Sequence, residues 1–491
     1  MSITSVLQKR GTVLISMAVL ALVLSPALIA LANVNLTRVS TDPYTNSSSQ
    51  HQTELEPDTY SYGSTTVSAF QVGRFFDGGS SNIGWATTTD NGANWTNGFL
   101  PGITIFATPP GPHQRVSDPS VAYDAAHGVW MIVSLSLEGA GAGSDVVVSR
   151  STNGGTTWQN PVDAHVQTGL DKTWVTCDDS TISPYYGHCY AEWDDNFGGN
   201  IIQMSTSTDG GLTWGAAKQT ADFASGLGGQ PLVQPGGRVI VPTSANFGGI
   251  LSFNSTDGGN SWGSSVNVAN VSDHGVAGNL RTSPMPSAEI DPQGRVYVVW
   301  QDCRFRTGCS SNDIVMSTSL DGVTWSAVTR IPIDAVGSTV DHFIPGIAVN
   351  KLKSGPPAQI GLTYYYYPTA NCSTSTCQLT VGYVSSNDGG VSWTTPTQVA
   401  GPMTVTWLAI TNQGYMVGDY ISTSISNDGK AHPVFAVANA PTGSVFDEAM
   451  HSPTQGLPLD AKSIRIKAGG DAPVPNAASD HPPLKTLPTA H

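Results

Sequence analysis

The chain has 491 residues, only 12% of them charged, with 53 glycines and a formal net charge of −15. So acidic a balance argues against a nucleic-acid partner, and so glycine-rich and lightly charged a composition suits an exported all-β protein. That length does not by itself require several domains, because strand-rich units can share one ring.

Residues 1–32 open with Lys9-Arg10, then an apolar stretch from about Thr12 to Ala32 that ends in the small-residue run Ala30-Leu31-Ala32. This predicts a secretory signal, and the stretch is also long enough for a single membrane anchor, although Pro26 disfavours a regular span. Residues 33–54 are polar and are expected to be a flexible leader.

From residue 55 to 467 one eight-residue pattern recurs six times, written [ST]-x-[DN]-x-G-x-x-W. Its key positions are Asp90, Asn153, Asp209, Asp257, Asp321 and Asp388, and its aromatic positions are Trp95, Trp158, Trp214, Trp262, Trp325 and Trp393. The fifth copy is one residue short. An Asp or Asn followed by Gly permits positive φ at a hairpin turn, and the short side chain can accept local backbone N–H bonds. The Trp then starts the returning strand as an apolar anchor.

Seven residues before each key position stands a β-branched residue: Ile83, Val146, Ile202, Ile250, Ile314 and Val381. Five residues before stand Trp85, Val148, Met204, Ser252, Met316 and Tyr383, a period-two pattern in which Ser252 is the weak member. Upstream of the boxes lie further hairpin turns, such as Asp124–Gly128, Asp291–Gly294 and Asn427–Gly429. Each unit is thus two hairpins, and four-stranded units repeated at this period predict an all-β propeller of antiparallel blades. Counting boxes gives six blades. Counting inner hairpins, which begin near Glu56, Asp118, Asp171, Gly229, Ser283, His342 and Gly418, gives seven, the favoured number. The last unit has no box, and Phe446–Met450 and Ser463–Lys467 are its expected outer strands.

The six cysteines fall into close pairs, Cys177 with Cys189, Cys303 with Cys309, and Cys372 with Cys377. Six cysteines allow fifteen pairings, and the nearest-neighbour set is favoured because each pair can close a hairpin or short loop within one blade. A zinc site is the rival reading, but no Cys-x-x-Cys occurs. Residues 468–491, rich in Pro and Ala, are expected to form a disordered tail.

The boxes resemble the Asp-box, or BNR, repeats of the sialidase (neuraminidase) superfamily over about residues 55–450. The resemblance implies boxes on outer hairpins, on the face away from the active site, and a ligand site at the mouth of the central channel. That mouth would be lined by residues just before each innermost strand and just after each second strand. Sialidase chemistry implies a clamp of three arginines on the sugar carboxylate and a Tyr nucleophile activated by Glu, because a carboxylate nucleophile would be repelled. By position in the blade, Arg74, Arg115, Arg281 and Arg304 are the clamp candidates; the rival readings are local ion pairs of Arg74 with Asp77 and of Arg304 with Asp302 beside the Cys303 loop. Tyr420 is the candidate nucleophile, Glu192 its activator, and Asp171 or Asp118 the acid/base. Standard members carry Arg-Ile-Pro just before the first blade, and nothing like it lies between Leu36 and Tyr62; Arg330-Ile331-Pro332 follows the fifth box instead.

The reading is therefore an exported or surface-anchored retaining exo-glycosidase acting on an extracellular glycan or glycoprotein as a monomer, with no cofactor and no metal. Its alternative is a non-catalytic propeller that binds glycan or protein.

Overall fold

The computed structural model describes residues 34–139, 142–246, 248–459, 466–467 and 473. The signal or anchor segment and the proposed tail lie outside the described residues, apart from residue 473. Among the described residues there is no α-helix, only strands and two short 3-10 turns, and no helix is long and apolar enough to cross a membrane.

The strands follow the predicted alternation of hairpins, and every ladder is antiparallel. The first unit runs Glu54–Tyr62, Thr65–Arg74, Ser80–Thr88 and Thr96–Phe99. The second runs Arg115–Asp124, Val129–Glu138 and Ala142–Ser151. The long strand Val162–Cys177 closes the second unit with its first half and opens the third with its second half. The third unit continues through Cys189–Asp195 and Ile201–Ser207. The fourth is built on Val239–Ala245 and Gly249–Ser255, the fifth on Val296–Asp302 and Asp313–Ser319. The sixth runs Asp341–Val349, Ile360–Tyr367, Gln378–Ser386 and Thr397–Thr404. The seventh runs Ser422–Ile425, Lys430–Ala438 and Glu448–Pro453.

The ladders correct two expectations. Leu36–Arg38, inside the stretch read as a flexible leader, is a strand that pairs with Glu448–Pro453 and completes the seventh unit. Ile466–Lys467, expected in that unit, pairs instead with Ser392–Trp393.

The boxes are closed by their own side chains. In the first, the Thr88 hydroxyl donates to Asp90 at 2.8 Å and accepts from the Gly92 N–H at 3.0 Å. Asp90 accepts in turn from the Asn94 N–H at 2.9 Å. The hydroxyl-to-key-residue bond recurs from Ser151 to Asn153, Ser207 to Asp209, Ser255 to Asp257, Ser319 to Asp321 and Ser386 to Asp388. Backbone donors, Thr324 first, hold the Asp321 carboxyl at about 2.

Boxes pack on the preceding unit. A Cβ on Gly155 would meet Val67 of the first unit at 2.6 Å, and one on Gly92 would meet His432 of the seventh at 2.7 Å. Ser252, weak as a packing residue, donates its hydroxyl to Gly322 O of the next box at 3.0 Å.

The three disulfides join the nearest-neighbour pairs expected: Cys177 with Cys189, Cys303 with Cys309, and Cys372 with Cys377. The first lies across two paired strands of the third unit. The other two close the loops that follow Val296–Asp302 and Ile360–Tyr367. Cys309 ends a 3-10 turn with left-handed backbone, at φ 53°, and Cys377 is fully buried against Gly278.

Two buried carboxyls stand near the N-terminal strand, Glu54 holding the segment just after it and Glu448 opening its partner strand. Glu54 accepts from the Ser40 hydroxyl at 2.5 Å, and Glu448 accepts from the Ala409 N–H at 2.8 Å. Burial pushes Glu54 from its ordinary 4.5 to about 7, against the pull of Ser40 and Arg38, and lifts Glu448 well above the carboxylate range. The native state therefore holds protons that the unfolded chain releases. Stability from Glu54 is fully present below pH 4.5 and is lost as pH rises through about 7. Glu54→Gln is expected to flatten that fall, worth on the order of 3 kcal/mol, in urea unfolding curves taken across this range. An unchanged pH slope in the variant would refute it.

Candidate functional site

The innermost strands begin with a repeated irregularity. Glu56, Asp118, Lys172 and Ile344 each have positive φ, at 59°, 49°, 45° and 48°. Each lies at a β-bulge in its ladder. Left-handed backbone is uncommon for such residues, and a following proline (Pro57, Pro119, Pro345) ordinarily holds its predecessor extended. The bulges turn three of these side chains onto one another. Lys172 Nζ lies 2.6 Å from Asp419, 3.1 Å from Asp118 and 3.5 Å from Glu56. Arg281 grips the same Asp419 with two donors, Nε at 2.7 Å and Nη2. Gln71 donates to Glu56 and, at 3.1 Å, to Ser117.

These groups are buried or nearly so, so the protonation of each is set by which neighbour offsets its desolvation. Burial opposes the charge on Asp419, yet Arg281 and Lys172 outweigh it and hold the carboxyl far below the usual range. Burial likewise opposes the Lys172 ammonium, and Asp118, Asp419, Glu56 and Asp171 overcome it and raise it well above its ordinary value. Burial raises Asp171, which makes no ion pair among the described residues and accepts the Lys172 backbone N–H at 2.9 Å. Burial also lifts Asp118, against the pull of Lys172. Behind them Asp194 is raised well above the carboxylate range by burial and then by Asp171, with neither oxygen hydrogen-bonded among the described residues.

This cluster floors a cavity of about 540 Å³, lined by Arg74, Asp118, Asp171, Lys172, Arg281 and Asp419 with Asp273, Gln413 and an aliphatic wall. Arg74 is 2% exposed. It donates to Gln71 Oε1 at 2.7 Å, its Nε has no partner, and no carboxylate lies within ion-pair distance among the described residues. Burial and the adjacent Arg281 charge pull its guanidinium down to about 10.

A second, smaller cavity of about 50 Å³ is lined by one or more residues of every unit's innermost strand: Tyr60, Val121, Trp174, Leu232, Ala288, Ile347 and Thr423.

Of the residues singled out in the sequence, Arg74, Arg281, Asp118 and Asp171 meet at the large cavity. The other four do not line it. Arg115 pairs with Asp77 at 2.5 Å and lies over the Phe75 ring. Arg304 pairs with Asp302 at 2.6 Å beside the Cys303 loop. Glu192 is fully buried against Gly229, and burial raises its carboxyl well above the ordinary value. Tyr420 donates its hydroxyl to Pro119 O at 3.0 Å. Burial, with Glu56 and Asp118 next, raises that phenol well above 10, the reverse of what a nucleophile needs. Arg330 of the Arg-Ile-Pro run is buried and pairs with Asp313 at 2.8 Å.

Lys172 and Asp419 stand just before innermost strands, where the sequence puts the channel mouth, but without a role there, and Glu56 is marked only as the start of an inner hairpin. The Glu56-Pro57 pair is visible in the sequence, and its left-handed backbone only in the structure. Acid-then-proline opens two innermost strands, Glu56-Pro57 and Asp118-Pro119, and a non-glycine residue forced left-handed before proline marks a functional position.

No family model matches the chain, and no curated protein matches it. Among solved structures it is similar to a protein of unknown function from Dyadobacter fermentans, at 16% identity and TM-score 0.45 over 72% of this chain and 100% of that one. It is also similar to leech intramolecular trans-sialidase, at 14% identity and TM-score 0.41 over 81% of this chain and 67% of that one. The intramolecular trans-sialidase from Ruminococcus gnavus is similar at 15% identity and TM-score 0.41, over 82% of this chain and 92% of that one. At these scores the likenesses decide nothing about the site.

Proposed function

We propose that the protein is an extracytoplasmic, sialidase-like glycoside hydrolase that takes an acidic sugar of extracellular glycans into the large cavity, at the mouth of a seven-bladed propeller. Arg74 carries this reading. A buried guanidinium with no carboxylate partner among the described residues, beside a second guanidinium and facing a cavity, is costly unless a bound anion completes it. Seven blades are supported by the small cavity, to which all seven innermost strands contribute, and by the first box seated on the seventh unit. Three disulfides support an oxidising compartment.

For the chemistry, Asp171 is the candidate acid, since burial favours its protonated form. Asp118, sharing the Lys172 ammonium, is the candidate base. Asp171 would give its proton to the glycosidic oxygen as that C–O bond breaks, and Asp118 would draw a proton from the water attacking the anomeric carbon. Burial raises both carboxyls, and what divides their roles is that Lys172 Nζ contacts Asp118 directly, at 3.1 Å, and reaches Asp171 only through its backbone N–H. This differs from the Tyr420 route expected from sequence, and Tyr420's committed hydroxyl favours a second reading, in which the cavity binds acidic glycans without cleaving them.

Purified protein should release fluorophore from a sialoside or a glucuronide but not from the matching neutral glucoside. Arg74→Met is expected to weaken acidic-sugar binding about 10- to 100-fold by loss of a charged hydrogen bond. The same variant should unfold at a higher urea concentration, because it removes an unpaired buried charge. Binding without product release selects the second reading. No binding of any acidic sugar overturns both.

A further inference from the structure

Besides its charged residues, the large cavity is lined by aliphatic side chains from three parts of the chain, with Ser244, Asn279, Thr282 and Ser283 among them. Leu135 and Leu137 come from the second strand of the second unit, two residues apart and so on one face. Leu227 comes from the fourth unit, and Val271, Leu280 and Met285 from the segment leading to the fifth. The wall runs up to the charged end. A Cβ on Gly79, in the turn just after Arg74, would lie 3.3 Å from the Leu137 methyl. At its other end, one on Gly228 would overlap the Met285 methyl. A sugar ring carries a hydroxyl on most carbons, and leucine, valine and methionine side chains give those hydroxyls nothing to replace water. A hydrocarbon chain has no such requirement.

We propose that the ligand is an amphiphilic anion, an acidic sugar bearing an aliphatic aglycone. Its carboxylate sits at Arg74 beside Arg281, and its alkyl chain lies along Leu137, Leu135, Leu227 and Met285. This rests on the acidic-sugar reading of the same cavity. The volume of about 540 Å³ accommodates a monosaccharide and a medium-length chain together. Charge complementarity fixes which end of the ligand goes where, and each methylene brought out of water tightens binding by roughly fourfold.

The test is calorimetric titration of the full chain with methyl, butyl and octyl glucuronides and with octyl glucoside, all below their micellar concentrations. Affinity is expected to climb with chain length, by at least about tenfold from methyl to octyl, and octyl glucuronide should exceed octyl glucoside by at least about tenfold. Leu227→Asn should flatten the chain-length series while leaving methyl glucuronide unchanged. Equal affinity for the methyl and octyl glucuronides overturns the amphiphile while sparing the acidic-sugar reading. Equal affinity for octyl glucuronide and octyl glucoside overturns the anionic end. If no glucuronide binds while a methyl sialoside does, the amphiphile falls and the acidic-sugar reading stands; if neither binds, both fall. The wild-type series alone decides these outcomes should a variant not fold.

Discussion

Lys172→Met is expected to destabilise the protein more than any other single substitution in the charged cluster. The ammonium sits among Asp419, Asp118 and Glu56 at 2.6, 3.1 and 3.5 Å, with almost no water to share the load. Methionine has the length to fill the space, so the loss is electrostatic and not a cavity. Removing one partner of a buried ion pair typically costs about 3–5 kcal/mol, because the other charge stays desolvated. Arg281 still grips Asp419, so the burden falls on Asp118 and Glu56, whose carboxyls burial already drives upward. Both become neutral in acid, and the deficit should shrink as they take up protons. Urea unfolding of wild type and variant at pH 7.5 and 4.5 checks this. A deficit equal at the two pH values would mean that Lys172 contributes packing, not charge.

The largest effect on turnover is expected at Asp171. Asparagine keeps its size and can still accept the Lys172 backbone N–H, but it has no proton to give. Loss of a general acid costs about 10²- to 10⁴-fold. The direction of its shift also predicts a shape. Because burial raises Asp171, activity in the wild type should fall as pH climbs through that raised value, giving a basic limb in kcat/KM that the variant lacks. Acidic-sugar binding should survive, since Arg74 and Arg281 are untouched. A variant with wild-type kcat would remove Asp171 from the reaction and shift attention to Asp118.

What could be read from the sequence follows how far apart the partners are. Each Asp box is closed by bonds to neighbours two to four residues away, so its pattern lies whole in eight letters. The cysteine partners are 12, 6 and 5 residues apart, within reach of one hairpin or loop. The leader reads as flexible because its partners are distant. Ser40 accepts the Met450 N–H across 410 residues, and no local pattern in a polar stretch announces that.

The site divides the same way. Position in the blade correctly brings Arg74 and Arg281 to one cavity, because strand ends of neighbouring units converge. The local pair of Arg304 with Asp302, an alternative legible in the sequence, is present, whereas Asp77 takes Arg115 and not Arg74. Position in the blade could not reveal that Tyr420 spends its hydroxyl on Pro119, 301 residues away. A glutamate before proline, as at Glu56, reads as an ordinary strand start until its φ is known.

The pairing of Leu36–Arg38 with His451–Pro453 makes an early strand wait for one that follows it by about 400 residues. Until both are present the seventh unit has an open edge, and an open edge is an invitation to another molecule's strand. Deleting Leu36–Arg38 would therefore do more than remove one short strand. It would leave a sticky flank that recruits copies of the same chain, so the purified product should elute as dimers and larger species.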